Sequence, residues 1–198
     1  PSVGDPFVNV RDDLSGLLPF RSALLRFRES SLRLGVLAAL FAAMIFVVTA
    51  YLLHIPTPIG GYVHLGDAFV YLAASMLPAP YAVAAAGIGE ALSDLLTGGA
   101  AFALPTLIIK AMMALCFTCA GEKILTKRNA AASGFAGLIC IGGYYVTEVF
   151  LSHSISAPLA EIPANALQAA ASAVIYLLAG RALDRVRMKK NILAFVRA

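Results

Sequence analysis

Leu34–Leu53 is a run of 20 residues without one charged side chain. About 20 apolar residues are what a helix needs to cross a bilayer. Further apolar runs follow at about Asp67–Leu77, Tyr81–Leu96, Phe102–Ala120, Ala132–Leu151 and Ile162–Leu183. Breakers separate them: Pro56, Pro58, Gly60, Gly61 and Gly66 in 54–66, Pro78 and Pro80, then Gly98 and Gly99. Pro105 and Pro163 fall in first turns, where proline is tolerated. Only 13% of the chain is charged, against about 25% in soluble domains. The pattern excludes a soluble globular domain and a disordered chain. It predicts an all-α integral membrane protein, a six-transmembrane-helix bundle over 34–183. A polar, amphipathic leader (1–33) precedes it, read as a helix lying on the membrane surface, and a basic tail (184–198) follows.

The basic residues predict the orientation. Arg11, Arg21, Arg26, Arg28 and Arg33 precede run one. Lys123, Lys127 and Arg128 lie between runs four and five, and Arg181, Arg185, Arg187, Lys189, Lys190 and Arg197 end or follow run six. Fourteen of the 15 fall on one predicted side, and loops 54–66, 97–104 and 152–161 contain none. By the positive-inside rule both termini are cytoplasmic and the Gly/Pro-rich loops face out. This also accounts for the basic balance without nucleic acid.

Polar groups within apolar runs are costly and are candidates for function. They are Asp67, Glu90, Asp94, Lys110, Glu148, Asn165 and Gln168. Placed by depth, all seven share the predicted outer half, as expected of a binding cavity open to the outside. Plainer readings stand beside this one. Asp67 after Gly66 can be a helix N-cap. Lys110 can pair with Asp94 or Glu90, joining runs three and four. Asn165 and Gln168 can bond neighbouring helices. Tyr62 and His64, in the first outer loop, are either interface residues or part of a lid. Glu148 has no evident partner in its own run and is the best ligand candidate.

Other signals are weak. Cys116 and Cys119 are spaced C-x-x-C but lack further soft ligands, and with Cys140 they read as inert buried thiols, with no metal expected. His153, between Ser152 and Ser154, lacks a hydrolase arrangement. No Walker A sequence is present, so no ATP hydrolysis is expected of this chain, nor any other enzyme activity or cofactor.

Three stretches carry a resemblance: Gly61-Tyr62-Val63-His64-Leu65-Gly66-Asp67-Ala68, Gly87-Ile88-Gly89-Glu90-Ala91-Leu92-Ser93-Asp94-Leu95-Leu96-Thr97-Gly98 and Pro105-Thr106-Leu107-Ile108-Ile109-Lys110, with Ile162-Pro163-Ala164-Asn165-Ala166-Leu167-Gln168 beside them. Over about 34–183 the chain resembles substrate-binding S components of energy-coupling factor (ECF) transporters, in the branch grouped with pyridoxine and hydroxymethylpyrimidine uptake. The resemblance implies a bacterial cell-membrane subunit that binds a vitamin or related micronutrient near the outer face. Such subunits dock on a transmembrane scaffold protein and two ATPases, and are thought to topple in the membrane during transport. Docking commonly uses a small-residue face on helix one. Here Ala38/Ala42 and Ala39/Ala43, with Gly35, have that spacing. A stand-alone proton- or cation-coupled carrier or channel is the alternative.

Overall fold

The computed structural model describes residues 6–52, 54–57 and 62–197. Residues 1–5 of the leader, Pro58, Gly60 and Gly61 of the first loop, and the last residue of the tail lie outside the described residues. The chain is helical almost throughout. Its elements are α1 (Pro6–Tyr51), β1 (Ile55–Pro56), β2 (Tyr62–Val63), α2 (Gly66–Met76), α3 (Ala79–Thr97), α4 (Ala103–Leu115), α5 (Lys127–Ser152), a 3₁₀ turn (Ala157–Ala160), α6 (Ile162–Arg185) and α7 (Met188–Arg197). Leu25–Tyr51, α5 and α6 are long and apolar enough to cross a membrane.

Large apolar side chains such as Leu40, Phe135, Leu138 and Leu178 are exposed, whereas the interior collects alanines and polar groups. This is the pattern of a bundle whose surroundings are themselves apolar. Small residues let the helices close up. A Cβ on Gly89 would stand 2.7 Å from the Ala42 carbonyl oxygen, and one on Gly143 would stand 2.7 Å from Ile109 Cγ1. These two positions seat α3 on α1 and α5 on α4.

Several boundaries differ from the sequence reading. The chain does not break at residue 33: leader and first apolar run share the single helix α1. The 54–66 loop contains a two-residue antiparallel pairing, Ile55 with Val63 and Pro56 with Tyr62. α4 stops at Leu115, not near Ala120, so Cys116 and Cys119 lie beyond it. The cause is a buried asparagine. Asn129 Nδ2 donates to the carbonyls of Thr118 (2.9 Å) and Ile124 (3.0 Å), and its Oδ1 accepts from Thr118 N (3.0 Å). The loop is thereby folded onto the start of α5, which Thr126 caps through Asn129 N. α2 has 11 residues, about 16 Å at 1.5 Å per residue, and all but Phe69 are buried. A helix enclosed by others need not match the bilayer thickness. At the end of α3, Gly98 adopts φ 95°, the left-handed conformation that stops a helix without a Cβ penalty.

The basic segments meet at one end of the bundle. An Arg33 guanidinium donates to the Phe195 carbonyl at 2.6 Å. Lys189 Nζ donates to the Lys123 carbonyl at 3.1 Å, and Lys190 lies 3.7 Å from Glu122. Asp184 accepts from Ile124 N and Leu125 N. Above this end, Tyr71, Phe117 and Tyr176 pack ring to ring at 5.0–5.8 Å. The other end of the bundle holds the polar residues singled out by sequence.

Candidate substrate-binding site

The polar groups form two connected layers. The deeper one joins α2, α4 and α6. Lys110 Nζ reaches Asp67 Oδ1 at 2.5 Å, and both side chains are fully buried. Gln168 Nε2 donates to Asp67 Oδ2 at 2.9 Å, while Gln168 Oε1 accepts from the His64 backbone N at 2.9 Å. The buried lysine therefore pairs with Asp67, not with Asp94 or Glu90. Nor is Asp67 an N-cap: the capping position is Leu65, and Asp67 sits in the first turn as the counter-ion of a lysine 43 residues away. Sequence depth alone put Asp67 at a rim; the packing of α2 inside the bundle brings it to α4.

His64 links the layers. Gly66 N donates to its Nδ1 at 3.1 Å, which makes Nδ1 the acceptor and leaves the proton on Nε2, 3.5 Å from Glu90 Oε2. Burial, with the Lys110 ammonium nearby, pushes this imidazole down to about 3 from its ordinary 6.5. His64 is thus a neutral donor near pH 7. Thr49 Oγ1 lies 3.3 Å from the same Nδ1. Gly66 cannot carry a side chain here, because its Cβ would stand 1.8 Å from Thr49 Oγ1 and 2.6 Å from Glu90 Oε1. Donor atoms of His64, Asp67 and Glu90 lie within 4.8 Å of one another. The Lys110 ammonium already provides the cation beside Asp67, so the trio reads as a hydrogen-bonded network.

The outer layer lines a small cavity, with about 20 Å³ of free volume, that opens at the surface. Thr57, Tyr62, His64, Asp94, Phe102, Tyr144, Glu148, Glu161 and Asn165 line it. Tyr62 OH donates to Asp94 Oδ1 at 2.7 Å. Burial, reinforced by the Asp94 carboxylate, holds the Tyr62 phenol well above its ordinary range, so it keeps that proton. The His54 ring stacks on Tyr62 with 3.8 Å between centroids. The first loop is thereby laced to α3. Asn165 stands beside Glu148.

Of the residues singled out by sequence, Tyr62, His64, Asp94, Glu148 and Asn165 meet at this cavity, while Asp67, Glu90, Lys110 and Gln168 lie in the layer beneath it. Sequence reasoning missed Thr57, Phe102, Tyr144 and Glu161. Tyr144 had a signal, being four residues before Glu148 and so on the same helix face. Glu161 immediately precedes Ile162-Pro163 at the start of α6. Thr57 sits in a connection whose path no periodicity fixes, and Phe102, the cap of α4, begins an apolar run that gave no sign of facing a cavity.

The small residues of α1 line a second, apolar groove. Gly35, Ala38, Ala39, Ala42 and Ala43 face Tyr81, Ala84, Ala85, Ile88 and Leu92 of α3 across it. The two alanine registers differ. Ala38 is buried in the bundle core, whereas Ala39 and Ala43 are exposed.

The sequence pattern of ECF-type riboflavin transporter S components matches residues 29–185. No curated protein matches the chain. The match covers every helix that shapes the cavity, and the three membrane-length helices agree with it. The chain therefore belongs to the ECF-type riboflavin transporter S-component family.

Proposed function

We propose that this chain is the high-affinity substrate-binding subunit of an ECF-type importer and that the outer cavity holds a small heteroaromatic micronutrient. The observation that carries this reading is the convergence of aromatic walls (Tyr62, Phe102, Tyr144) and hydrogen-bonding groups (His64, Asp94, Glu148, Asn165) from the first loop and α3–α6 on one cavity. Vitamin B6 and a pyrimidine precursor of thiamine are the candidates raised by the sequence motifs, and riboflavin is the one raised by the family match. Polar groups in a dry pocket reject analogues that leave them unpaired.

On this reading the bundle crosses a bacterial plasma membrane six times. The basic end and both termini are cytoplasmic, and the cavity opens outward. The meeting of Arg33, Lys123, Lys189 and Lys190 at the end away from the cavity supports that orientation. The α1–α3 groove is the docking face for the transmembrane scaffold protein, through which two ATPases supply the energy. Membrane vesicles carrying this chain with scaffold and ATPases should accumulate pyridoxine, riboflavin or the pyrimidine precursor of thiamine in an ATP-dependent manner. Vesicles with this chain alone should not. Accumulation by the chain alone, driven by a proton or cation gradient, would instead make it a stand-alone carrier.

A further inference from the structure

Three carboxylates, those of Asp94, Glu148 and Glu161, line the outer cavity, and among its described lining residues there is no lysine or arginine. Two of the three are incompletely satisfied. Asp94 Oδ2 and Glu148 Oε2 are buried without a hydrogen-bond partner among the described residues, and each residue is 4% exposed. Carboxylate oxygens accept only, so whatever satisfies them must donate. A buried carboxylate oxygen is costly unless a donor occupies the space beside it.

Of the protein's own basic groups, His54 lies near Asp94 but stacks on Tyr62. Lys110 is fully buried and held by Asp67 in the layer beneath. Tyr62 gives its single proton to Asp94 Oδ1, not to Oδ2. Neutral His64 directs its Nε2 proton toward Glu90 Oε2. The Thr106 hydroxyl reaches Asp94 and also lies 3.1 Å from the Tyr144 hydroxyl. The rings of Tyr62, Phe102 and Tyr144 around the same space suit a positively charged or flat guest.

From this geometry we infer that the cavity selects by charge: its ligand is a heteroaromatic carrying an amino group or a fixed positive charge, which Asp94 and Glu148 receive, and phosphorylated forms are excluded. The inference rests on the cavity being the substrate site and goes further by naming which half of the candidate compounds it takes. An anionic phosphate would face three carboxylates with no cation to meet it. A neutral hydroxylated ring would bring donors but no positive charge.

The test is calorimetric titration of the purified full chain in detergent with pyridoxamine and thiamine as cationic probes, pyridoxine and riboflavin as neutral ones, and pyridoxamine 5′-phosphate as the anionic one. At least one cationic probe should bind about 10- to 100-fold more tightly than either neutral probe, the range expected of hydrogen bonds to a charged group. The phosphate should not bind. Glu148→Gln or Asp94→Asn, each first checked for an unchanged thermal unfolding profile, should cut that preference to less than about threefold. If one variant fails to fold, the other decides.

Binding of riboflavin or pyridoxine as tight as that of the cations, binding of the phosphate, a preference unchanged in both variants, or binding of none of the five overturns charge selection. The two readings fail differently. Neutral-probe binding that is lost in Asn165→Ala removes charge selection but keeps the cavity as the site. Probe binding unaffected by Asn165→Ala, Glu148→Gln and Asp94→Asn together removes the site itself.

Discussion

Replacing Lys110 with methionine should destabilise the folded chain by about 3–5 kcal/mol, the cost of leaving one charge of a buried pair without its partner. Lys110 and Asp67 are both fully buried and their charged atoms are in direct contact. Methionine keeps most of the side-chain volume, so the loss is electrostatic. Asp67→Asn should cost a similar amount, because it strands the ammonium. The double variant Lys110→Met/Asp67→Asn should recover most of the loss. Gln168 Nε2, now 2.9 Å from Asp67 Oδ2, can still bond an amide oxygen there. Thermal and denaturant unfolding of the four proteins in detergent gives the coupling energy directly. A parallel cycle of Lys110→Met with Asp94→Asn should show much weaker coupling, because Asp94 receives Tyr62 instead. Additive losses in the Lys110/Asp67 cycle would show that the pair does not join α2 to α4.

The second large effect concerns assembly. Ala39→Leu with Ala43→Leu should abolish copurification with the scaffold and ATPase subunits while leaving ligand affinity and unfolding temperature unchanged. Both alanines are exposed, so leucines there change the outer face without entering the core. Ala38→Leu should behave differently. Ala38 is in the core, and overpacking costs about 1–3 kcal/mol. Its loss of assembly, if any, should come with a lower unfolding temperature. Pull-down with tagged ATPases, read beside unfolding curves, separates the two. Intact assembly in the Ala39/Ala43 variant would remove the groove from the docking surface.

The residues that sequence reasoning placed best were those whose cost was visible locally. Asp67, Glu90, Asp94, Lys110 and Glu148 stand out because a charge in an apolar run needs a reason, and they do collect at one end of the bundle. Their pairing was not legible. Depth along a helix gives one coordinate, and whether Lys110 faces Asp67 or Asp94 depends on rotation and on how close the helices come. Those are set by contacts such as Gly89 on Ala42 and Gly143 on Ile109. The apolar run likewise marked the start of α4 near Phe102, with Pro105 in the first turn. It missed the stop at Leu115, because Asn129, beyond the loop, pins that segment through three hydrogen bonds. The two alanine registers on α1 were equivalent as letters, and only packing against α3 distinguishes inner from outer.

Mass spectrometry of the small molecule that copurifies with the chain tests the central claim most directly. The wild-type protein, extracted from cells with a coexpressed scaffold and ATPase module, should carry a heteroaromatic micronutrient at near one-to-one stoichiometry. The Glu148→Gln/Asn165→Ala variant, folded to the same unfolding temperature, should carry little or none. Equal amounts of the same molecule on both proteins would contradict a substrate site built from Glu148 and Asn165.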